Sequence, residues 1–145
     1  MRTKDFLSRL DHDRIVSAIK AAEAKTFGEI CVYIQRGELD GDALAEAQAK
    51  FRRLGMEKTG ERNGILIFVA PRARKFAVAG DEGIHARCGA EFWDRVVDAM
   101  RAHFLNSNFT DALVEAIEEG GRLLARHFPK TGAPQNELPD EIIEG

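Results

Sequence analysis

The chain has 145 residues, enough for one domain that buries about two-thirds of its unfolded surface without disulfide or metal staples. Its 44% apolar and 31% charged residues exclude a disordered chain, and a net charge of −3 without a long basic run argues against a nucleic-acid partner. The start, Met1-Arg2-Thr3-Lys4-Asp5, lacks the apolar run of a signal peptide, and no later stretch approaches transmembrane length, so the expectation is a cytoplasmic protein with no direct membrane insertion.

In chain order, Phe6 to Lys25 carries a helical pattern. Ser8 or Asp11 can cap it, and Ile15, Ala18, Ile19 and Ala22 share a face. Glu29 to Gln35 reads as a strand by its β-branched and aromatic content. Cys31 lies inside that run and reads as a buried, inert thiol; the only other cysteine, Cys88, forms no CxxC pair with it. After a turn at Gly37 to Gly41, Asp40 or Asp42 caps a helix with Ala43, Ala47, Phe51 and Leu54 on one face, which stops at Gly55.

A polar loop, Glu57 to Asn63, then delivers Ile65 to Ala70, an apolar run without alternation that ends at Pro71. It is too short for a buried helix and reads as a strand covered on both faces. Lys75 to Gly80 follows a short basic turn, so the two runs predict an antiparallel hairpin. Asp81 to Arg87 suggests a short helical turn, and Ala90 to Leu105 a strong amphipathic helix broken at Asn106-Ser107-Asn108. The last helix runs from about Thr110 to His127, and Gly120-Gly121 interrupts it, which points to close helix packing more than flexibility. Residues 1–129 therefore read as one domain and 130–145 as an acidic, proline-containing tail, irregular by composition. The strand–helix–strand unit from Glu29 to Ala70 predicts parallel pairing, so the product is a small mixed sheet between helical layers.

Common enzyme signatures are missing. Gly55 and Gly60 have the glycine spacing of a phosphate loop, but Glu61-Arg62 follow where Lys and Ser or Thr are needed. There is no GxSxG elbow, and His12, His85, His103 and His127 are too scattered to predict a zinc site. Topology does bring oxygen donors together. The start of the first strand (Glu29), the start of the second (Asn63, Gly64) and the end of the antiparallel third (Asp81) share one sheet edge, with Thr26 and Thr59 on flanking loops. Carboxylate, amide and backbone oxygens are hard ligands suited to calcium or magnesium. Strand-end solvation, or a helix cap at Asp81, is the plainer alternative. The opposite edge carries Gln35-Arg36 and Pro71-Arg72, with Arg74 and Lys75 nearby, where an anion site or a solvated hairpin turn is conceivable.

Several landmarks recur in one order: Ala22-Glu23, Thr26-Phe27-Gly28-Glu29-Ile30, Leu54-Gly55-Met56, Arg62-Asn63-Gly64-Ile65-Leu66-Ile67, Gly80-Asp81-Glu82-Gly83-Ile84, Phe92-Trp93 and His127-Phe128-Pro129. With the closing Asn136-Glu137-Leu138-Pro139-Asp140-Glu141-Ile142, the chain resembles the short soluble bacterial members of the TPM-domain family. That resemblance implies a three-layer α/β/α sandwich around a mixed sheet of about four strands. It also implies divalent-metal binding, usually calcium, at loops around one end of the sheet, which makes Glu29, Asn63 and Asp81 the preferred ligands. For plant-type members it implies a proposed acid phosphatase activity. Two functions follow as expectations: a metal-binding accessory module with an unidentified protein partner, or a metal-dependent phosphomonoesterase. The second needs a phosphate clamp beside the carboxylates, for which Lys58, Arg62 and Arg87 are the candidates. Glu137, Asp140 and Glu141 of the tail could fold back as further ligands, or Leu138-Pro139 could dock on the domain.

Overall fold

Ile65 to Ala70 is buried along its whole length because both faces of the sheet it centres are covered. The computed structural model describes residues 1–56, 64–130 and 142–145, and only the backbone at 82, 83, 85, 87, 88, 90 and 92. Its elements are α1 (Thr3–Ser8), α2 (His12–Glu23), β1 (Glu29–Ile34), α3 (Ala43–Arg53), β2 (Gly64–Ala70), β3 (Lys75–Gly80), α4 (Glu82–Leu105), α5 (Phe109–His127) and β4 (Ile142–Glu144). The sheet order is β3-β2-β1-β4. β1 runs parallel to β2 and to β4, while β2 and β3 form the antiparallel hairpin. A 3₁₀ turn, Pro71–Ala73, and a left-handed Arg74 (φ 54°) join the hairpin strands.

Strand alternation divides the core in two. Ile30, Val32, Ile34, Ile65, Ile67, Val69 and Val78 pack with α1, α2, α4 and α5 through residues such as Phe6, Ile15, Ile19, Met100, Leu113 and Ile117. Cys31, Tyr33, Leu66, Phe68, Ala77 and Ala79 pack under α3 with Ala43, Ala47, Phe51 and Met56. The result is the expected three-layer sandwich, with one helical layer four helices strong and the other built on α3.

Two local expectations change and one holds. The single helix expected from Phe6 to Lys25 is two, because Asp11 accepts from the Arg14 N–H at 3.1 Å and starts α2 afresh. The turn and helix expected either side of Gly89 are both present, two helical segments parted where Gly89 leaves the helical conformation (φ 69°, ψ −168°). The tail is not irregular throughout: Ile142–Glu144 adds a fourth strand beside Val32–Ile34, and Ile142 and Ile143 pack on opposite faces of the sheet. The Gly120-Gly121 pair packs closely without interrupting α5; a Cβ at Gly121 would stand 2.6 Å from that of Ala22.

Candidate metal centre

Parallel pairing sets Glu29 beside Gly64, and the hairpin sets Asp81 on the other side, its N–H donating to the Gly64 carbonyl at 3.2 Å. Alternation with Cys31, Tyr33, Ala77 and Ala79 then puts Glu29, Gly64 and Asp81 in one row on the α3 face. Two strand spacings separate the outer pair, about 10 Å between Cα atoms, a span that two carboxylates can close over a residue without a side chain. Both are buried, Glu29 to 3% exposure and Asp81 to 5%. A Cβ on Gly64 would lie 3.4 Å from Met56 Cε and 3.6 Å from the Met56 carbonyl oxygen, so a backbone oxygen comes to the same row. Asp81 also directly precedes α4, where a carboxylate caps a helix, and the Ile84 N–H donates to its carbonyl at 3.1 Å.

A third carboxylate stands at this end of the sheet. Glu23, the last residue of α2, accepts the Ile30 N–H at 3.0 Å. Among the described residues β4 pairs with β1 from Val32 onward, and Glu23 serves the backbone of the same strand at Ile30. Sequence reasoning passed over Glu23, although an acidic residue in the last turn opposes the helix dipole and was the available signal. Burial first, then the charges of Glu23 and Glu29, push the Cys31 thiol up to about 12. Cys31 is therefore a neutral thiol at pH 7, unsuited as nucleophile or thiolate ligand, and its shift registers the negative potential of these carboxylates.

Of the expected ligands, the fold brings Glu29 and Asp81 into one row, while Asn63 lies outside the described residues, as do Lys58, Thr59, Arg62, Glu137, Leu138, Pro139, Asp140 and Glu141. Of Arg87 only the backbone is described. Thr26 is committed elsewhere: its hydroxyl oxygen lies 2.6 Å from the Phe128 carbonyl and accepts from the Gly28 N–H at 3.0 Å. Among the described residues no group of three or more His, Cys, Asp and Glu could hold a metal, so an ion here would also draw on carbonyl oxygens. Two carboxylates and carbonyls are the donor chemistry of calcium or magnesium, and the donors present fit either. At the opposite sheet end, Arg36 and Arg72 pair with Glu144 and Glu38 at 3.5 and 3.3 Å.

Residues 1–122 match the TPM domain. The chain belongs to the TPM-domain family. The solution NMR structure of the BA42 protein from the psychrophilic bacterium Bizionia argentinensis is similar to it, with 36% identity, 92% of each chain covered and a TM-score of 0.86. The N-terminal domain of a protein from P. gingivalis shares the fold at 17% identity, with 80% of this chain and 76% of that chain covered and a TM-score of 0.62. No curated protein matches the sequence. Among the described residues of this TPM domain, no helix is long and apolar enough to cross a membrane.

Proposed function

We propose that this TPM domain binds a divalent cation, calcium or magnesium, at the Glu29–Gly64–Asp81 row, and works as a cytoplasmic accessory module that presents the ion-loaded sheet end to a protein partner. The observation that carries the reading is two buried carboxylates on one face, separated only by a glycine. A cation between them offsets the repulsion that burial sharpens. Asn63, from the segment joining Met56 to Gly64, is the further ligand this reading names.

The test is titration of calcium, then magnesium, into metal-free protein, followed by residue-resolved NMR and thermal unfolding. The expected result is resonance shifts centred on Glu29, Gly64 and Asp81, with stabilisation of about 2.7 kcal/mol at a hundredfold excess over Kd. Asp81→Asn keeps a capping side chain and Glu29→Gln keeps the shape, so each should abolish the ion-induced stabilisation while the metal-free protein stays folded. No melting shift with either ion, or shifts centred elsewhere, would overturn the reading. Release of phosphate from a generic monoester, dependent on the ion and on Asp81, would replace the accessory role with metal-dependent hydrolysis.

A further inference from the structure

The other end of the sheet holds a cavity of about 470 Å³, within the size range of small-ligand sites. It opens beyond the carboxyl end of β2, against Val69, Ala70 and Pro71. Four elements each send one aromatic ring to its wall: Phe6 from α1, Phe76 from β3, Phe104 from α4 and Phe109 from α5. The rings form one cluster, with centroids 5.0 Å apart for Phe6–Phe109 and for Phe76–Phe104, and 6.2 Å for Phe104–Phe109. Phe6 is buried, but the other three keep part of their surface open. Leu105 stands at the lip 79% exposed, an apolar side chain left in water.

The mouth has the opposite character. Arg74 and Arg101 line it, both exposed, and among the described residues no acidic one does. Lys75 borders the cavity but sends its side chain to the α3 face, in phase with Ala77 and Ala79, where its Nζ donates to the Gly41 carbonyl at 2.9 Å. Among the described residues Arg101 meets only Asp98, 3.5 Å away and well exposed, a pairing of little worth in water. Neither Arg74 nor Lys75 pairs with a carboxylate among the described residues. Two arginines beside an aromatic hollow, on a chain whose net charge is −3, make a complementary surface for a molecule that is apolar at one end and anionic at the other.

We propose that this cavity binds a small organic carboxylate with an aromatic or acyl body. The body packs against Phe76, Phe104 and Phe109, and the carboxylate meets Arg74 and Arg101 at the mouth. The apolar wall excludes inorganic phosphate and sugars as preferred ligands, because four phenyl rings supply no hydrogen bonds. The cations distinguish an acid from its neutral analogue through charge-assisted hydrogen bonds. The site is independent of the carboxylate row at the other end of the sheet.

The experiment titrates the whole protein with 4-phenylbutyrate, 4-phenylbutyramide and acetate, read by calorimetry and residue-resolved NMR. Phenylbutyrate should move the resonances of Phe76, Phe104 and Leu105, the amide should bind about tenfold more weakly, and acetate should move none of them. The double variant Arg74→Ala/Arg101→Ala should lose most of the preference for acid over amide while its melting temperature stays unchanged, since both side chains are exposed. Equal affinity for acid and amide, binding without a response at the phenylalanines, or no binding at millimolar concentrations would each overturn the proposal.

Discussion

The indole of Trp93 rests on Gly80, so closely that a Cβ built on the glycine would stand 2.8 Å from Cζ2, with Cη2 nearer still. Gly80 is the last residue of β3 and Asp81 follows it directly, so this contact clamps α4 onto the strand end that carries the carboxylate. Gly80→Ala should push the ring away and cost about 1–3 kcal/mol, as overpacking does. Trp93 is the chain's single tryptophan, so its emission should shift while thermal unfolding records the loss.

Thr26, 2% exposed, ties the turn before β1 to the end of α5. Beyond the side-chain bonds, the Phe27 N–H donates to the Phe128 carbonyl at 3.0 Å. Thr26→Val keeps the shape and strips the hydroxyl, leaving the Gly28 N–H without its acceptor. The expected cost is about 1–3 kcal/mol by chemical denaturation, with native-state hydrogen exchange quickening at Gly28.

The Cys31 thiol gives a pH dependence whose sign can be worked out. Folding raises its value from 9.0 to about 12, so above pH 9 the unfolded chain loses a proton that the folded chain keeps. Stability from this group is level below pH 9 and falls by about 1.4 kcal/mol per pH unit from there towards pH 12. Other groups also titrate in that window, so the measurement is the difference between wild type and Cys31→Ala. The wild-type stability should drop the more steeply, and equal slopes would refute the prediction.

The two candidate caps of α3 can be separated by mutation. Asp42 accepts from the Ala45 N–H at 3.0 Å, so Asp42→Ala should cost about 1 kcal/mol. Asp40 caps nothing among the described residues, and Asp40→Ala should leave the melting temperature in place.

Much of this architecture is legible in residue order, for reasons that differ by element. The Ile65–Ala70 run needs cover on both faces, and its neighbours Pro71 and Lys75 leave only a tight turn back. Local chemistry fixes these features, so reading locally works. The break between α1 and α2 was within reach, since Asp11 is a good cap, but the apolar period runs unbroken through it and outweighed the cap signal. β4 was out of reach. Ile142 and Ile143 are two apolar residues in an acidic, proline-containing stretch, and they become a strand only because β1 presents an open edge to them. The carboxylate row follows from strand register, which topology supplies. Glu23 does not, because its place depends on how the turn between α2 and β1 folds back on the edge.

That fourth strand has a consequence for how the molecule assembles. Val32 meets Ile142 across a sequence separation of 110 residues, among the most distant pairings in the sheet. Contacts of such long range form late, because closing so large a loop costs entropy that nearby pairs do not face. Until β4 arrives, the upper half of β1 is a bare strand edge, flat and apolar, open to the equivalent segment of a neighbouring molecule. Ile142–Glu144 thus acts during folding as a cover for that edge, and concentrated refolding is where its absence should first be felt, as association of copies through their β1 edges.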